Sequence, residues 1–203
     1  MNIVDLSIPI DNRTPVYPGD PKQEINQIAH IEKEGWNENR LIFNTHFSTH
    51  IDAPYHMLKD GKKLSEYSLD KLIGEGIVLD VRRGFDLDIL ESTKIKKGSI
   101  VFLWTGQTEK LYSGYFERAT FIPAAFAEKL VKLDVKVLGM DSFSPDEPPF
   151  EVHKILLKRD ILIVENLTNL DKLKNKNFRV FILPLKLENT DGAPCRVIAL
   201  LDS

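Results

Sequence analysis

The segment HFSTHIDAPYH, residues 46–56, contains three of the five histidines in this 203-residue chain. In a helix, at about 100° per residue, His46 and His50 would share a face, but Asp52 would lie about 200° round from His50. Pro54 would also interrupt the helical hydrogen bonds. In an extended strand, His46, His50, Asp52 and His56 share one face, and the large apolar residues at odd positions share the other. The segment therefore predicts a strand with a core face and a face of three imidazoles and a carboxylate.

Other apolar runs predict a protein in which strands outnumber helices. Runs rich in Val, Ile, Leu and Phe predict strands at residues 3–10, 41–51, 76–81, 100–104, 135–140, 161–164, 178–185 and 196–201. Pro123 favours a helix start, and the apolar spacing after it predicts a helix as far as Leu133. Shorter helices are predicted at residues 64–73 and 150–158. Since strands and helices alternate in the second half and no linker interrupts the chain, we expect one α/β domain spanning residues 1–203.

Composition and charge exclude several classes of protein. The 27 Lys and Arg against 30 Asp and Glu leave a net charge of −3, so the chain lacks the basic surface that nucleic acid requires. No run approaches the roughly 18–20 apolar residues of a membrane span, and the first residues lack the basic segment of a signal peptide. The single cysteine, Cys195, is expected to be a small buried hydrophobic residue. These features predict a cytoplasmic protein without nucleic-acid or membrane partners.

The polar face of the predicted strand has the composition of a metal site. Three imidazoles and a carboxylate are costly to bury without a cation or hydrogen bonds, and they are ligand types that Zn²⁺, Mn²⁺ and Fe²⁺ favour. The segment does not match an H-E-x-x-H metalloprotease, because residue 47 is Phe where that motif needs Glu. Ser48 is not expected to be a nucleophile, because no G-x-S-x-G motif surrounds it. The alternative is a solvent-facing strand whose histidines are incidental. His153, twelve residues before the strand-end Glu165, is a weaker candidate.

The segment at residues 46–56 also resembles a known signature. It is similar to the H-x-G-T-H-x-D-x-P-x-H motif of the cyclase family of metal-dependent hydrolases, which includes the bacterial kynurenine formamidases. Further stretches agree with the family in the same order, at residues 5–7, 14–20, 139–142, 153, 165–167, 183–185 and 191–194. The resemblance therefore covers almost the whole chain.

The resemblance implies roles for individual residues. Five residues would be metal ligands: His46, His50, Asp52, His153 and Glu165. The first three would hold one ion, His153 would belong to a second, and the two carboxylates would bridge the pair. His56 matches the family's proton donor and acceptor. The ion implied is Zn²⁺, one or two per subunit, with Mn²⁺ as the alternative.

The resemblance also implies a fold, an assembly and a substrate. The fold would be a swivelling β/β/α domain whose central mixed, barrel-like sheet is flanked by helices, and the protein would be a homodimer or homotetramer. The activity would be hydrolysis of a non-peptide amide C–N bond, as in an arylformamide of the N-formylkynurenine type, by metal-activated water with His56 as acid and base. Two other functions stay open. One is ring opening of a cyclic amide or imide such as isatin or a lactam, and the other is metal-dependent binding of a small molecule without catalysis.

Two residues depart from the family pattern. Ser48 replaces the glycine of the signature, a change that matters only if the backbone there needs a positive φ. Tyr17 stands where the formamidases carry a tryptophan that contacts the substrate, and its smaller, polar-tipped ring offers a different stacking surface. Together with residues 36–40, Tyr17 is expected to shape the pocket and to decide the substrate.

Overall fold

A curved β-sheet dominates the computed structural model, which describes residues 2–117 and 120–202. The strands within these ranges are β1 Asn2–Asp5, β2 Glu24–Ala29, β3 Glu38–Ile42, β4 His50–Asp52, β5 Ile73–Asp80, β6 Ile100–Trp104, β7 Val137–Met140, β8 Leu162–Glu165, β9 Phe178–Pro184 and β10 Gly192–Leu201. β2 and β3 form a separate two-stranded hairpin, and the other strands belong to one sheet.

The C-terminal strand closes this sheet on itself. β10 pairs with β4 through residues 192–194 and with β9 from Cys195 onwards. From β10 the order is β4, β8, β7, β6, β5 and β9, so seven strands form a ring, and β1 pairs with the end of β10. Strands β5 to β8 run parallel, and the remaining pairings in the ring are antiparallel. The predicted α/β fold with a mixed, barrel-like sheet is confirmed.

Short helices connect and cover the strands. They are α1 Ile31–Glu34, α2 Leu69–Leu72, α3 Asp88–Ser92, α4 Ala124–Lys132 and α5 Glu151–Leu157, with 3₁₀ turns at Pro54–His56, Leu64–Glu66, Gln107–Lys110 and Leu170–Leu173. α4 follows Pro123 as predicted and buries Phe126, Ala127 and Leu130. No helix among the described residues has the length and apolar composition needed to cross a bilayer.

The parallel strands β6, β7 and β8 are buried on both faces, which explains their continuous apolar sequences. In β6 the side chains alternate between two clusters. Val101 and Leu103 pack with Phe126 of α4 and Leu156 of α5, in the layer between the sheet and these helices. Phe102 belongs to a second cluster on the opposite face, to which strands from around the ring contribute. The helices therefore cover one face of the sheet while the ring fills its own interior.

The structure corrects several sequence-based expectations. The predicted strand at residues 41–51 is wrong, because β3 ends at Ile42 and β4 begins only at His50. Ser48 between them has φ +61°, a left-handed conformation that interrupts an extended strand. The helix predicted at residues 64–73 is instead a 3₁₀ turn followed by the four-residue α2. The β2–β3 hairpin is absent from the predictions, because its mostly exposed residues show no alternation between buried and exposed positions.

Candidate metal centre and active site

The centre of the site is β4, which lies between β8 and β10. His50 and Asp52 are two residues apart on this strand and so project to the same side of the sheet. His50 pairs with Glu165 at the end of β8, and Asp52 pairs with Gly192 at the start of β10. The Nδ1–H of His50 donates to the carbonyl oxygen of Ser48 at 2.9 Å, which turns Nε2 towards Asp52 and Glu165, at 3.3 Å from each carboxylate. Sheet register therefore assembles three of the five predicted ligands.

His46 and His56 reach the site from outside β4. His46 lies in a turn before the left-handed Ser48, and its Nδ1 is 2.7 Å from Asp52 Oδ1. His56 lies on the 3₁₀ turn that follows β4, with its ring centroid 3.9 Å from that of His46. The expectation that one extended strand aligns all four residues is wrong. Two chain reversals, one on each side of a three-residue strand, bring them together instead.

His153 comes from the first turn of α5, where Asp146 holds it. Asp146 Oδ1 accepts from His153 Nδ1 at 2.5 Å, and its Oδ2 accepts the backbone N–H groups of Val152 and His153. This carboxylate therefore anchors the start of the helix and fixes the imidazole in one orientation. The free Nε2 of His153 lies 3.5 Å from Glu165 Oε1 and 3.9 Å from Asp52 Oδ2.

The predicted ligands form two groups that share Asp52. One group is His46, His50 and Asp52, and the other is Asp52, His153 and Glu165. Asp52 Oδ1 faces the first group, while its Oδ2 is buried and has no hydrogen-bond partner among the described residues. Ligand atoms about 2.1 Å from one tetrahedral ion lie roughly 3.4 Å apart, and the contacts of His50 and His153 with these carboxylates, at 3.3–3.9 Å, are near this value, while His46 Nδ1 lies closer to Asp52 Oδ1, at 2.7 Å. The unpaired oxygen, the spacings and the mixed imidazole and carboxylate donors all fit a divalent metal.

The charges of the site favour a cation. Burial lowers the pKa of His46, but the carboxylates in contact with it outweigh burial and raise the pKa to about 9. The same competition raises the pKa of His153 to about 10. Burial raises the pKa of Asp52, but the neighbouring imidazoles outweigh it and hold that pKa well below its ordinary value. The site thus stabilises positive charge beside an ionised carboxylate, which is the electrostatic requirement of a metal site.

A pocket of about 540 Å³ opens onto these residues. Its lining includes the candidate ligands His46, His50 and His153 together with His56, and four aromatic residues, Tyr17, Phe116, Phe143 and Phe150. Tyr17 packs against Phe116 and Phe143, with ring centroids 6.4 Å and 6.0 Å away, and remains 38% exposed. Residues 36–40, which were expected to shape the pocket, lie at the end of the β2–β3 hairpin and in β3 and do not line it.

Comparison with known proteins identifies the family. A family model described as a putative cyclase matches residues 4–147, which is more than half of the chain. The chain belongs to this cyclase family. The match spans both the 46–56 signature and Tyr17, so the predicted family is confirmed.

Individual relatives of this cyclase-family protein cover almost all of it. An uncharacterized protein of Methanocaldococcus jannaschii is 35% identical over 99% of this chain and all of its own length. A kynurenine formamidase of Bacillus cytotoxicus is 28% identical over 96% of this chain and 95% of its own length. A solved structure of a potential metal-dependent hydrolase with cyclase activity has a TM-score of 0.83 at 26% identity, covering 98% and 96% of the two chains. These likenesses support a metal-dependent hydrolase.

A second solved structure is similar in fold. An isatin hydrolase bound to the product analogue thioisatinate has a TM-score of 0.89 at 24% identity, and the match covers 99% of this chain and 92% of that one. The closed sheet described above is therefore the sheet of these enzymes as well.

The cyclase-family signature explains the strained turn at Ser48. Its φ of +61° lies in the left-handed region that glycine adopts at no steric cost. The resemblance drawn from the sequence implies a glycine at this position, and Ser48 has the positive φ at which glycine would be unstrained. The serine therefore adds backbone strain next to the candidate metal ligands.

One functional residue of the site, Asp191, is absent from the sequence-based candidates. Its Oδ2 lies 2.8 Å from His46 Nε2 and 3.4 Å from His56 Nδ1, and hydrogen bonds from both histidines lower the pKa of this carboxyl. Asp191, His46 and His56 form a third group of potential ligands. The resemblance drawn from the sequence includes residues 191–194, but a separation of 145 residues from His46 gives no spacing signal in the sequence.

Proposed function

We propose that this protein is a metal-dependent hydrolase of a non-peptide amide C–N bond, with an arylformamide of the N-formylkynurenine type as substrate. The observation that carries the proposal is the position of His56. Its imidazole lines the pocket beside His46, its side chain is 25% exposed, and it belongs to neither ligand group built on Asp52. A basic group that is free to face substrate next to a metal centre is what amide hydrolysis needs.

The chain provides the metal ligands and the proton transfer separately. We propose that His46, His50, Asp52, His153 and Glu165 hold one or two Zn²⁺ ions per subunit, with Mn²⁺ as the alternative. A bound ion of this kind supplies Lewis-acid polarisation of the carbonyl and lowers the pKa of water to about 7. His56 removes a proton from the attacking water and returns a proton to the departing nitrogen as the C–N bond breaks. The products of this hydrolysis are formate and an amine.

The aromatic wall of the pocket supports an aryl substrate. Tyr17, Phe116 and Phe143 form a continuous set of edge-to-face and tilted contacts, and the Phe116 and Phe143 ring centroids are 4.9 Å apart. Such rings bind a flat aromatic group by stacking or edge contacts, each worth about 0.5–1.5 kcal/mol beyond the buried area.

A cyclic amide or imide is the second candidate substrate, and Tyr17 favours it. Because Tyr17 is smaller than the tryptophan expected from the formamidases, it leaves more room for a fused ring beside Phe116 and Phe143. The reaction differs only in that the amine and the acid stay joined after the C–N bond breaks. The two candidates are therefore separated by substrate selectivity and not by the catalytic residues.

The test is an activity panel on protein loaded with Zn²⁺ or Mn²⁺, using N-formylkynurenine, simple aryl formamides, isatin, cyclic imides and lactams. His56→Gln is expected to lower kcat by about 10²- to 10⁴-fold while the metal content stays unchanged. His30→Gln, at an exposed histidine outside the pocket, is the matched control and should retain full activity. Loss of metal from the His56 variant would make His56 a ligand. Binding of a panel compound without turnover by the wild type would make the protein a binder.

We also propose that the protein forms a homodimer or homotetramer. The β2–β3 hairpin supports this, because Ile28, Ile31, Trp36 and Leu41 are each more than half exposed on it. An isolated two-stranded hairpin has little stability by itself, and a large exposed apolar surface is typical of an interface. Sedimentation velocity of the wild type and of Trp36→Asp tests this: the variant is expected to dissociate towards monomer, and a wild-type monomer would refute the proposal.

A further inference from the structure

We propose that Asp191 is a positioning residue that fixes the tautomer of His56, so that His56 Nε2 is the atom that exchanges protons with the substrate. The inference rests on the proposed acid–base role of His56. It deepens that role, because it names the residue that orients the imidazole and the nitrogen that faces the reaction.

The direction of the hydrogen bonds carries the argument. An ionised carboxylate only accepts hydrogen bonds, so each imidazole nitrogen that faces Asp191 must carry a hydrogen. Asp191 Oδ2 lies 3.4 Å from His56 Nδ1 and 2.8 Å from His46 Nε2. In neutral His56 the hydrogen is therefore on Nδ1, and Nε2 has a free lone pair.

The same contact assigns the metal-binding nitrogen of His46. With its Nε2–H donating to Asp191, His46 presents Nδ1 to Asp52 Oδ1 at 2.7 Å, where Nδ1 donates a hydrogen to the carboxylate in the metal-free site and would offer its lone pair to a bound ion. A ligand histidine whose second nitrogen donates to a carboxylate is the usual arrangement in metalloproteins. One carboxylate oxygen thus orients both the ligand histidine and the acid–base histidine. The relative position of the two imidazoles depends on Asp191.

The fold holds Asp191 firmly in this place. Its carbonyl oxygen accepts the backbone N–H of Ala53 at 2.8 Å, and its Oδ1 accepts the hydroxyl of Thr45 at 3.0 Å. The next residue, Gly192, allows the close approach, because a Cβ there would lie 2.6 Å from the carbonyl oxygen of Ile51 and 2.9 Å from His46 Cε1. Backbone pairing, a hydroxyl donor and the missing side chain therefore all bring the Asp191 carboxylate against the two rings.

The rival role for Asp191 is that of a metal ligand, since His46, His56 and Asp191 also lie close enough to share an ion. The two roles predict different metal contents for the Asp191→Asn variant. At saturating metal, a ligand that becomes an amide lowers the bound metal content, whereas a positioning residue that becomes an amide weakens the affinity by about 10- to 100-fold, leaves the site filled and loses the tautomer preference of His56.

The experiment compares wild type and Asp191→Asn as metal-loaded full-length protein with ¹⁵N-labelled histidine. In the wild type, NMR should show His56 with a protonated Nδ1 and a bare Nε2. In Asp191→Asn the tautomers should mix or invert, kcat should fall about 10²- to 10⁴-fold, KM should change only a few-fold, and metal content should stay the same. Asp191→Glu, which keeps a carboxylate, should restore part of kcat and the wild-type tautomer.

Two further variants complete the design. Thr190→Val is the neighbouring control, since Thr190 Oγ1 has no hydrogen-bond partner among the described residues, and it should leave kcat and the tautomer unchanged. Thr45→Val removes the hydroxyl that donates to Asp191 Oδ1. It should change the His56 tautomer and kcat in the same direction as Asp191→Asn but by a smaller amount. If the Asp191 variants do not fold, the Thr45 variant tests the positioning role in their place.

Three results decide against the inference. They are an unchanged His56 tautomer in Asp191→Asn, an unchanged kcat despite an altered tautomer, and a loss of metal that would make Asp191 a ligand. If the wild type hydrolyses no compound of the amide panel, the proposed function fails, but the tautomer measurement still decides whether Asp191 orients His56.

Discussion

Asp141 provides a stability prediction whose size follows from its environment. It is the first residue after β7 and is 2% exposed. Its carboxylate accepts the backbone N–H and hydroxyl of Thr105 at 2.6 Å and 2.8 Å and the backbone N–H of Gly106 at 2.8 Å. Burial raises the pKa of Asp141 from 3.8 to about 6, although these hydrogen bonds act in the opposite direction. The folded protein therefore binds this proton more tightly than the unfolded chain does.

The sign and size of the effect follow from proton linkage. Between pH 4 and pH 6 the folded state keeps the proton while the unfolded state has lost it, so the free energy of unfolding falls as pH rises. A pKa difference of roughly two units corresponds to about 3 kcal/mol, of which some 2–3 kcal/mol is lost between pH 4 and pH 7. Asp141→Asn removes the titrating group and so removes this contribution. It also adds a pH-independent cost of about 1–3 kcal/mol, because an amide nitrogen cannot accept from Gly106.

The assay is urea unfolding of wild type and Asp141→Asn at half-unit steps from pH 4 to pH 7. Subtracting the two curves cancels the other titrating groups, including the histidines of the metal centre. The free energy of unfolding of the wild type minus that of Asp141→Asn should fall by about 2–3 kcal/mol as pH rises from 4 to 7. Asp60→Asn, an exposed aspartate, is the control and should give a flat difference. A flat curve for Asp141→Asn, or a drift in favour of the wild type, would refute the argument that burial raises the pKa.

Three other predictions concern the metal centre and its supports. Chelation should lower the melting temperature of the metal-loaded protein. A metal at about 1,000 times its Kd stabilises the fold by about 4 kcal/mol, which corresponds to roughly 10 °C for a chain of this size. Equal melting curves with and without chelator would contradict metal binding. Ser48→Gly should be neutral or stabilise by up to about 1 kcal/mol, since it relieves a left-handed conformation at some entropic cost, whereas Ser48→Val should destabilise in the same urea assay. Gly192→Ala should destabilise the protein by about 1–3 kcal/mol and reduce metal retention, because the added Cβ would overlap Ile51 and His46. If the variant kept the metal content and stability of the wild type, β4 and β10 would have to separate at no cost.

Much of the fold was predictable because it depends on local sequence. Strands β6, β7 and β8 are buried on both faces, so their apolar runs are continuous and recognisable without neighbours. α4 has a proline at its start and an apolar face of ordinary helical spacing. The β2–β3 hairpin has neither signal, since nearly all its residues are exposed in the single chain. Ring closure by β10 was also unpredictable from local pattern, because it joins strands distant in sequence.

For the site, the sequence by itself determined which donors are available. The imidazoles and carboxylate of residues 46–56 indicate a metal centre by residue type, and the family signature adds His153 and Glu165. Only the tertiary structure decided how they meet. A strand of three residues orients His50 and Asp52, while the left-handed turn at Ser48 and the pairing of β4 with β8 and β10 bring the others within reach.

Asp191 is the residue of the site whose contacts could not be predicted from the sequence. Side-chain chemistry is a property of the residue and can be read from the sequence, but a hydrogen bond between Asp191 and His46 joins positions that are 145 residues apart and so depends on the fold. That contact exists because β10 returns along β4 and because Gly192 has no side chain to keep the strands apart. Distance in space depends on the packing of the whole chain, and for that reason only the folded structure shows which carboxylate orients the histidines.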